Sequence, residues 1–193
     1  MFANRFTVVI DTCSLWSVLR RDLLLTLAEE EFFRPRWNST ILADLERTLK
    51  AKRPNVDSAR QVQFIRSAFP EAEVSNYELY LPSVQNLPDP DDTHVIATAI
   101  ACKASLIVTE NLKDFPDKIL GPLEIEAKCA DEFIADTLDL APERAIKILH
   151  SITTKKRNPP TTVDEQIQKW EINGLTETAA FFRPRKDVFF LNC

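Results

Sequence analysis

Four short stretches of the chain carry the apolar pattern of β-strands. Residues 6–10 and 105–109 are rich in β-branched and aliphatic side chains, which is typical of strands that are buried on both faces. Residues 32–36 predict a shorter strand followed by a turn, and residues 123–127 alternate between apolar and polar side chains as an edge strand does. Helical patterns separate these stretches, so the sequence predicts an α/β fold with a mainly parallel sheet.

Apolar residues at helical spacing predict the helices between the strands. One pattern covers residues 14–27, and a second runs to about Lys52 with Asn38 or Ser39 as its cap. A third begins near residue 57 after Pro54 and ends at Phe69. The helix after Asp92 is apolar on nearly all sides, which predicts that it is buried.

After residue 130 the pattern is helical only. We expect four helices, at residues 131–138, 142–152, 162–172 and 176–182. Thr162 and Glu165 have the spacing of a capping box, and Asn173-Gly174 is a typical helix end. The sequence therefore predicts a core domain at residues 1–130 and a helical C-terminal appendage at residues 131–193.

Composition excludes several classes of protein. With only two glycines, Gly121 and Gly174, the chain cannot form a P-loop or a Rossmann dinucleotide fingerprint. The net charge of −5 argues against a protein that coats nucleic acid non-specifically. It leaves room for an enzyme that holds nucleic acid through a local basic patch and a metal ion.

The cysteines and the chain ends give weaker information. Cys13, Cys102, Cys129 and Cys193 form no CxxC pair, so we expect buried, reduced thiols rather than a zinc site. No apolar run approaches the roughly 20 residues of a membrane span. The first residues lack the order of charged, apolar and small residues in a signal peptide, and the expected location is the cytoplasm.

Acidic side chains follow the predicted buried strands. Asp11 comes directly after the first strand, and Asp114 follows the strand at residues 105–109. Asp89 and Asp92 lie at the start of the buried helix. The carboxyl ends of parallel strands meet at one edge of a sheet, so these groups can converge there. Clustered carboxylates repel unless a cation binds, and Mg²⁺ or Mn²⁺ prefers oxygen ligands and can activate water at a phosphodiester.

Each acid also has a structural alternative. Asp11 and Asp114 can begin turns, and Asp89 and Asp92 can cap a helix or interact with its dipole. Asp44 and Glu46 lie on opposite flanks of the apolar stripe of their helix, so periodicity alone does not choose between them.

Four sequence blocks resemble the PIN domain family, in particular the VapC-like toxins of bacterial toxin–antitoxin pairs. Residues 8–13, Val-Val-Ile-Asp-Thr-Cys, are similar to the opening strand and first acid of that family. Residues 37–45, 89–99 and 106–116 are similar to the blocks that carry the second, third and fourth acids. The resemblance covers about residues 6–128, and the helical tail resembles the C-terminal extension of some longer VapC-like proteins.

The resemblance implies a fold, an activity and partners. The implied fold is a PIN-like three-layer α/β/α domain with a C-terminal helical appendage. The implied activity is a Mg²⁺- or Mn²⁺-dependent endoribonuclease that hydrolyses RNA phosphodiester bonds as the toxin of a type II toxin–antitoxin pair. An antitoxin protein would block the site, and a homodimer is common in the family. The implied catalytic acids are Asp11, Asp44, Asp92 and Asp114, of which Asp11, Asp92 and Asp114 bind metal.

Supporting roles follow from the same resemblance. Its register selects Asp44 over Glu46, although Asp44 is one methylene shorter than the family's usual Glu. Asn111 is expected to orient Asp114 or a metal-bound water, and Thr109 to donate its hydroxyl near the site. Asp89 is expected to lie behind the metal ligands, and His94 either contacts RNA or packs between helices. Candidates for contact with the RNA backbone are Arg20, Arg21, Arg34, Arg36, Arg47, Lys50, Lys52 and Arg53.

The sequence also supports an alternative function that is not enzymatic. The chain can also be a catalytically weak PIN-like module whose main activity is protein–protein contact. The shorter acid at position 44 and the net negative charge support that alternative.

Overall fold

The computed structural model describes residues 6–154 and 161–187. Within them four short strands form one sheet: β1 Thr7–Ile10, β2 Arg34–Arg36, β3 Leu106–Val108 and β4 Glu126–Lys128. The order is β2-β1-β3-β4 and every pairing is parallel, with Val8 opposite Pro35 on one side and Leu106 on the other. The predicted α/β class with a parallel sheet is confirmed.

The helices of the first part surround this sheet. Their bounds are α1 Thr12–Leu15, α2 Val18–Glu29, α3 Ser39–Lys52, α4 Ser58–Ala68, α5 Thr93–Cys102 and α6 Asp117–Leu120. The prediction of one helix at residues 14–27 was wrong, because Ser17 has an extended backbone, with φ −70° and ψ 122°, and separates α1 from α2. Helix α1 is a single turn that begins where Asp11 caps it.

Two other boundaries differ from the sequence prediction. Strand β4 begins at Glu126 rather than at residue 123, because Gly121–Leu123 forms a 3₁₀ turn and Glu124 follows with a left-handed φ of 56°. Residues 74–84, whose sequence predicts an irregular stretch with some strand character, contain the 3₁₀ helix Tyr77–Ser83. A bridge between Trp37 and Glu73 lies just before that stretch.

Four helices follow the sheet, within a residue or two of the predicted bounds. They are α7 Ala130–Asp139, α8 Pro142–Thr154, α9 Val163–Ile172 and α10 Thr176–Phe182, called here the C-terminal helices. The predicted capping box is present, since Glu165 N donates to Thr162 Oγ1 and Thr162 N donates to Glu165 Oε2. Gly174 follows α9 with a φ of 77°, a conformation that favours glycine.

The C-terminal helices share a hydrophobic core with the sheet. Phe33, just before β2, packs edge-to-face against Phe133 of α7 with ring centroids 4.9 Å apart. Buried residues from Val8 in β1 to Phe182 in α10 belong to one continuous core. No helix in the described residues is long and apolar enough to cross a membrane. The N-terminal residues 1–5 and Cys193 lie outside the described residues.

Candidate metal centre

Asp11 lies at the carboxyl ends of the two central strands. Its backbone N donates to Val108 O at 3.0 Å, which extends the pairing of β1 with β3 by one residue. Its Oδ1 accepts a hydrogen bond from Thr12 N at 2.6 Å and so caps α1. Its Oδ2 accepts one from Thr109 Oγ1 at 2.9 Å, which joins the two strand ends through their side chains. Asp11 is 7% exposed, and its carboxylate is held by the ends of both strands.

Asp89 and Asp92 are placed by a 3₁₀ turn before α5. Asp89 Oδ1 accepts a hydrogen bond from Asp91 N at 3.0 Å, and the turn Pro90–Asp92 follows directly. A 3₁₀ helix has about three residues per turn, so side chains three positions apart lie on the same side. Both carboxylates consequently face the sheet edge, whereas Asp91 is exposed.

Asp114 approaches the same edge from the chain that follows β3. It ends the 3₁₀ turn Leu112–Asp114 and is 8% exposed. Asn111 Nδ2 donates to Asp114 Oδ2, and Asn111 N donates to Thr109 Oγ1 at 3.1 Å. Thr109 and Asn111 thus hydrogen-bond to Asp11 and Asp114, respectively.

Three of these acids can bind one metal ion together. Asp89, Asp92 and Asp114, called here the acidic cluster, each offer an oxygen within 4.8 Å of the others. Asp92 Oδ2 is buried and has no hydrogen-bond partner. Burial, and then the negative charges of Asp11 and the neighbouring acids, raise the pKa of Asp92 to about 7. An unpartnered oxygen among like charges is what a site for a divalent cation requires, so these residues fit Mg²⁺ or Mn²⁺.

The raised pKa predicts how the metal-free protein responds to pH. The pKa of Asp92 is about 7 in the folded chain, against 3.8 for an ordinary aspartate in the unfolded chain. Between these values the unfolded state has lost this proton and the folded state keeps it, so stability falls as pH rises. We expect urea unfolding in EDTA at several pH values to show this fall, and Asp92→Asn to reduce it. Equal pH dependence in both proteins would contradict the assignment to Asp92.

Asp44 lies outside the acidic cluster. It is half-buried on α3 and forms an ion pair with Arg47, one turn further along the same helix. Its negative charge acts on His94, where it opposes the effect of burial on the imidazole pKa. Glu46 lines a hollow with Ala43 and Arg47. Of the two acids on α3, Asp44 is thus the one with an electrostatic effect on a residue beside Asp92.

His94, near the start of α5, contacts the cap of α3. Asn38 Nδ2 lies 3.1 Å from His94 Nδ1 and donates to Thr98 Oγ1 at 2.7 Å. Asn38 Oδ1 accepts from Ile41 N at 2.7 Å, which caps α3. Burial is the main cause of a lowered His94 pKa. The fully buried Asn38 therefore ties the helix of Asp44 to the helix after Asp92, a role that the sequence indicated only as a cap.

Cys13 was wrongly expected to be only a buried apolar thiol. Its Sγ donates to Asp11 Oδ2 at 2.9 Å, lies 3.1 Å from Thr109 Oγ1 and accepts from Glu110 N at 3.0 Å. Burial, and then the Asp11 charge, raise the pKa of this thiol to about 12, so it stays protonated and can donate. Its position two residues after Asp11 was the available signal in the sequence.

A basic face lies beside α1. Lys52 Nζ is 4.0 Å from the ring centroid of Trp16, the residue after α1. Arg21 Nη1 donates to Leu15 O at 2.8 Å, and burial and the Arg53 charge lower the Arg21 pKa. Lys52 and Arg53 are exposed. Of the predicted cationic candidates, Lys52 therefore contacts the ring of Trp16, and Arg21 bonds to the backbone beside it.

Comparison with known families decides what this fold is. A profile described as the PIN domain matches residues 7–113, more than half of the chain. The chain belongs to the PIN domain family. The matched range of this PIN domain contains Asp11, Asp44 and Asp92 and ends one residue before Asp114. A second profile, described as the VapC50 C-terminal domain, matches residues 130–184, which include the C-terminal helices.

One curated relative supports the resemblance to VapC proteins. The protein named "Putative ribonuclease VapC50" from Mycobacterium tuberculosis is 41% identical over 71 residues. The aligned part covers 37% of this chain and 42% of that protein, so the match spans less than half of the relative. No solved structure matches the chain. The predicted membership of the PIN family, with a VapC-type C-terminal extension, is confirmed.

Proposed function

We propose that this PIN-domain protein is a divalent-metal-dependent endoribonuclease and the toxin of a type II toxin–antitoxin pair. The acidic cluster carries the proposal, because three carboxylate oxygens lie within 4.8 Å and Asp92 Oδ2 has no hydrogen-bond partner. The match to a relative named as a ribonuclease supports RNA as the substrate. In the same proposal the protein acts in the cytoplasm.

We assign the metal ligands to Asp92 and Asp114, with Asp89 added from the geometry and Asp11 beside them. Bound Mg²⁺ or Mn²⁺ would supply a more acidic water and would offset negative charge at the phosphodiester. Asp11 is already fixed by Thr109 and Cys13, so it can contribute its charge without reorganising. Asp114 or Asp44 would help to position or deprotonate the attacking water.

The basic face supports a path for single-stranded RNA. Asp11 caps α1 and Trp16 ends it, so the two residues are separated by five positions, about 7 Å along a helix. Lys52 and Arg53 can contact phosphates there, and the Trp16 ring offers a surface for a base when Lys52 moves aside. The substrate backbone would then run from the basic face across the acidic cluster.

Partners follow from the VapC resemblance. We propose that an antitoxin protein covers the acidic cluster, which would block both metal and RNA. We also propose a homodimer.

The decisive experiment is cleavage of RNA by the purified full chain. We expect cleavage with Mn²⁺ or Mg²⁺ and none in excess EDTA, with activity returning when the metal is restored. Cleavage that persists in EDTA would contradict the metal mechanism. If Mn²⁺ binds and no RNA is cut, the protein-interaction module becomes the better function. The observation that favours this alternative is the ion pair between Arg47 and Asp44, the expected second acid.

A further inference from the structure

The segment at residues 109–114, called here the active-site loop, contacts two different parts of the molecule. Thr109 and Asn111 hydrogen-bond to the site acids Asp11 and Asp114. Glu110 lies between them, and its side chain binds Ala130 N and Arg20. Its own backbone N donates to Cys13 Sγ, which in turn donates to Asp11. Any shift of Glu110 therefore acts on the hydrogen bonds from Thr109 to Asp11 and from Asn111 to Asp114.

The Glu110 carboxylate binds the start of the C-terminal helices. Its Oε1 accepts a hydrogen bond from Ala130 N, the first residue of α7, at 3.0 Å. Its Oε2 pairs with Arg20 Nη2 at 3.1 Å, and the two side chains are only 26% and 18% exposed. An ion pair with so little exposure is screened less by salt than an exposed one. Glu110 thus joins the active-site loop, α2 and α7 at one point.

The contact continues through the C-terminal helices to their last member. Asp131, the next residue of α7, accepts hydrogen bonds from Glu177 N at 2.8 Å and Thr178 N at 2.9 Å, at the start of α10. Arg20 Nη2 also lies beside Gly174, in the turn between α9 and α10. Residues 110, 130, 131 and 178 therefore form a continuous set of contacts from the active site to α10.

We propose that the C-terminal helices hold the metal centre in place, with Glu110 as the positioning residue through which they act. The inference rests on the proposed function, since it assumes that the acidic cluster binds a divalent ion. Glu110 is not a member of the acidic cluster. It fixes the direction of the active-site loop. Its neighbours in that loop, Thr109 and Asn111, orient Asp11 and Asp114. The C-terminal part is then a component of the active site.

The test is Mn²⁺ binding to the full chain, measured by calorimetry together with the melting temperature. Glu110→Ala should weaken Mn²⁺ affinity on the order of tenfold, the lower end for residues that support metal ligands. Glu110→Gln should weaken it less, because its amide oxygen can still accept from Ala130 N. The matched control is Arg144→Met. Arg144 of α8 also joins the C-terminal helices to the first part of the chain, because it pairs with Glu30 and contacts Phe32. It should lower the melting temperature and leave affinity unchanged.

The outcomes separate this inference from the proposed function. Unchanged affinity in Glu110→Ala, or equal weakening in Arg144→Met, would overturn the positioning role. If Glu110→Ala does not fold, Glu110→Gln decides, and wild-type affinity in that variant would overturn the inference. Failure of the wild-type chain to bind Mn²⁺ would overturn the proposed function itself.

Discussion

Asp92→Asn is expected to reduce RNA cleavage by about 10³-fold, the scale on which a lost electrostatic contact to the transition state acts. The amide keeps the shape of the carboxylate but removes its negative charge. In the wild type, Oδ2 of this carboxylate has no hydrogen-bond partner in the acidic cluster. The substitution should not unfold the chain, since burial and neighbouring acids already make ionised Asp92 unfavourable in the absence of metal. Cleavage assays and melting curves with and without Mn²⁺ measure both effects.

Asp91→Asn is the matched control for this variant. Asp91 is the adjacent acid on the same 3₁₀ turn, but it is exposed and lies outside the acidic cluster. We expect near-normal cleavage and a normal rise in melting temperature on addition of Mn²⁺. Full activity in Asp92→Asn, or an equal loss in both variants, would show that the acidic cluster is not the reaction centre.

Asp131→Ala is expected to lower the free energy of unfolding by about 3 kcal/mol, since it removes a cap and several charge-assisted hydrogen bonds. Asp131 is 6% exposed, and its oxygens accept from Thr178 N and Oγ1, Glu177 N and Thr176 Oγ1. Alanine leaves the buried Thr178 hydroxyl and N–H without that acceptor. For a chain of this length the melting temperature should fall by about 6–12 °C.

Asp136→Ala on the same helix tests whether burial accounts for the effect. Asp136 is 60% exposed and pairs with Lys128 at 2.7 Å. Exposed ion pairs contribute about 0–1 kcal/mol, so this variant should melt within a few degrees of the wild type. A similar fall in melting temperature in both variants would contradict the prediction that the buried hydrogen bonds of Asp131 to α10 stabilise the chain. Urea titration of each variant gives the comparison directly.

Local sequence pattern was sufficient for much of the fold and for part of the site. The buried run of β1 ends at Asp11, and the apolar helix α5 begins after Asp92, so both acids could be placed from strand and helix signals alone. The C-terminal helices were predictable for the same reason, because their apolar spacing and the capping box are local features. Parallel pairing then predicts that residues at the carboxyl ends converge.

The remainder depends on contacts between residues far apart in the chain. The break at Ser17 has no side-chain capping hydrogen bond, so the sequence does not mark it clearly. Asp89 was expected behind the metal ligands, and the fold places one of its oxygens within 4.8 Å of oxygens of Asp92 and of Asp114, which is distant in the chain. Asn38 bonds to His94 and Thr98, 56 and 60 positions away, and no local pattern reports such contacts.

The order of strands in the sheet also has a consequence for synthesis of the chain on the ribosome. β1 pairs with β2 within about 27 residues, but its other neighbour, β3, emerges roughly 98 residues later. Closing so long a loop is slow compared with local helix formation. A polypeptide released before residue 106 carries Asp11, Asp44 and Asp92 yet lacks the central pairing that brings Asp11 to Thr109. If the complete chain is the proposed ribonuclease, prematurely terminated chains should therefore lack its activity.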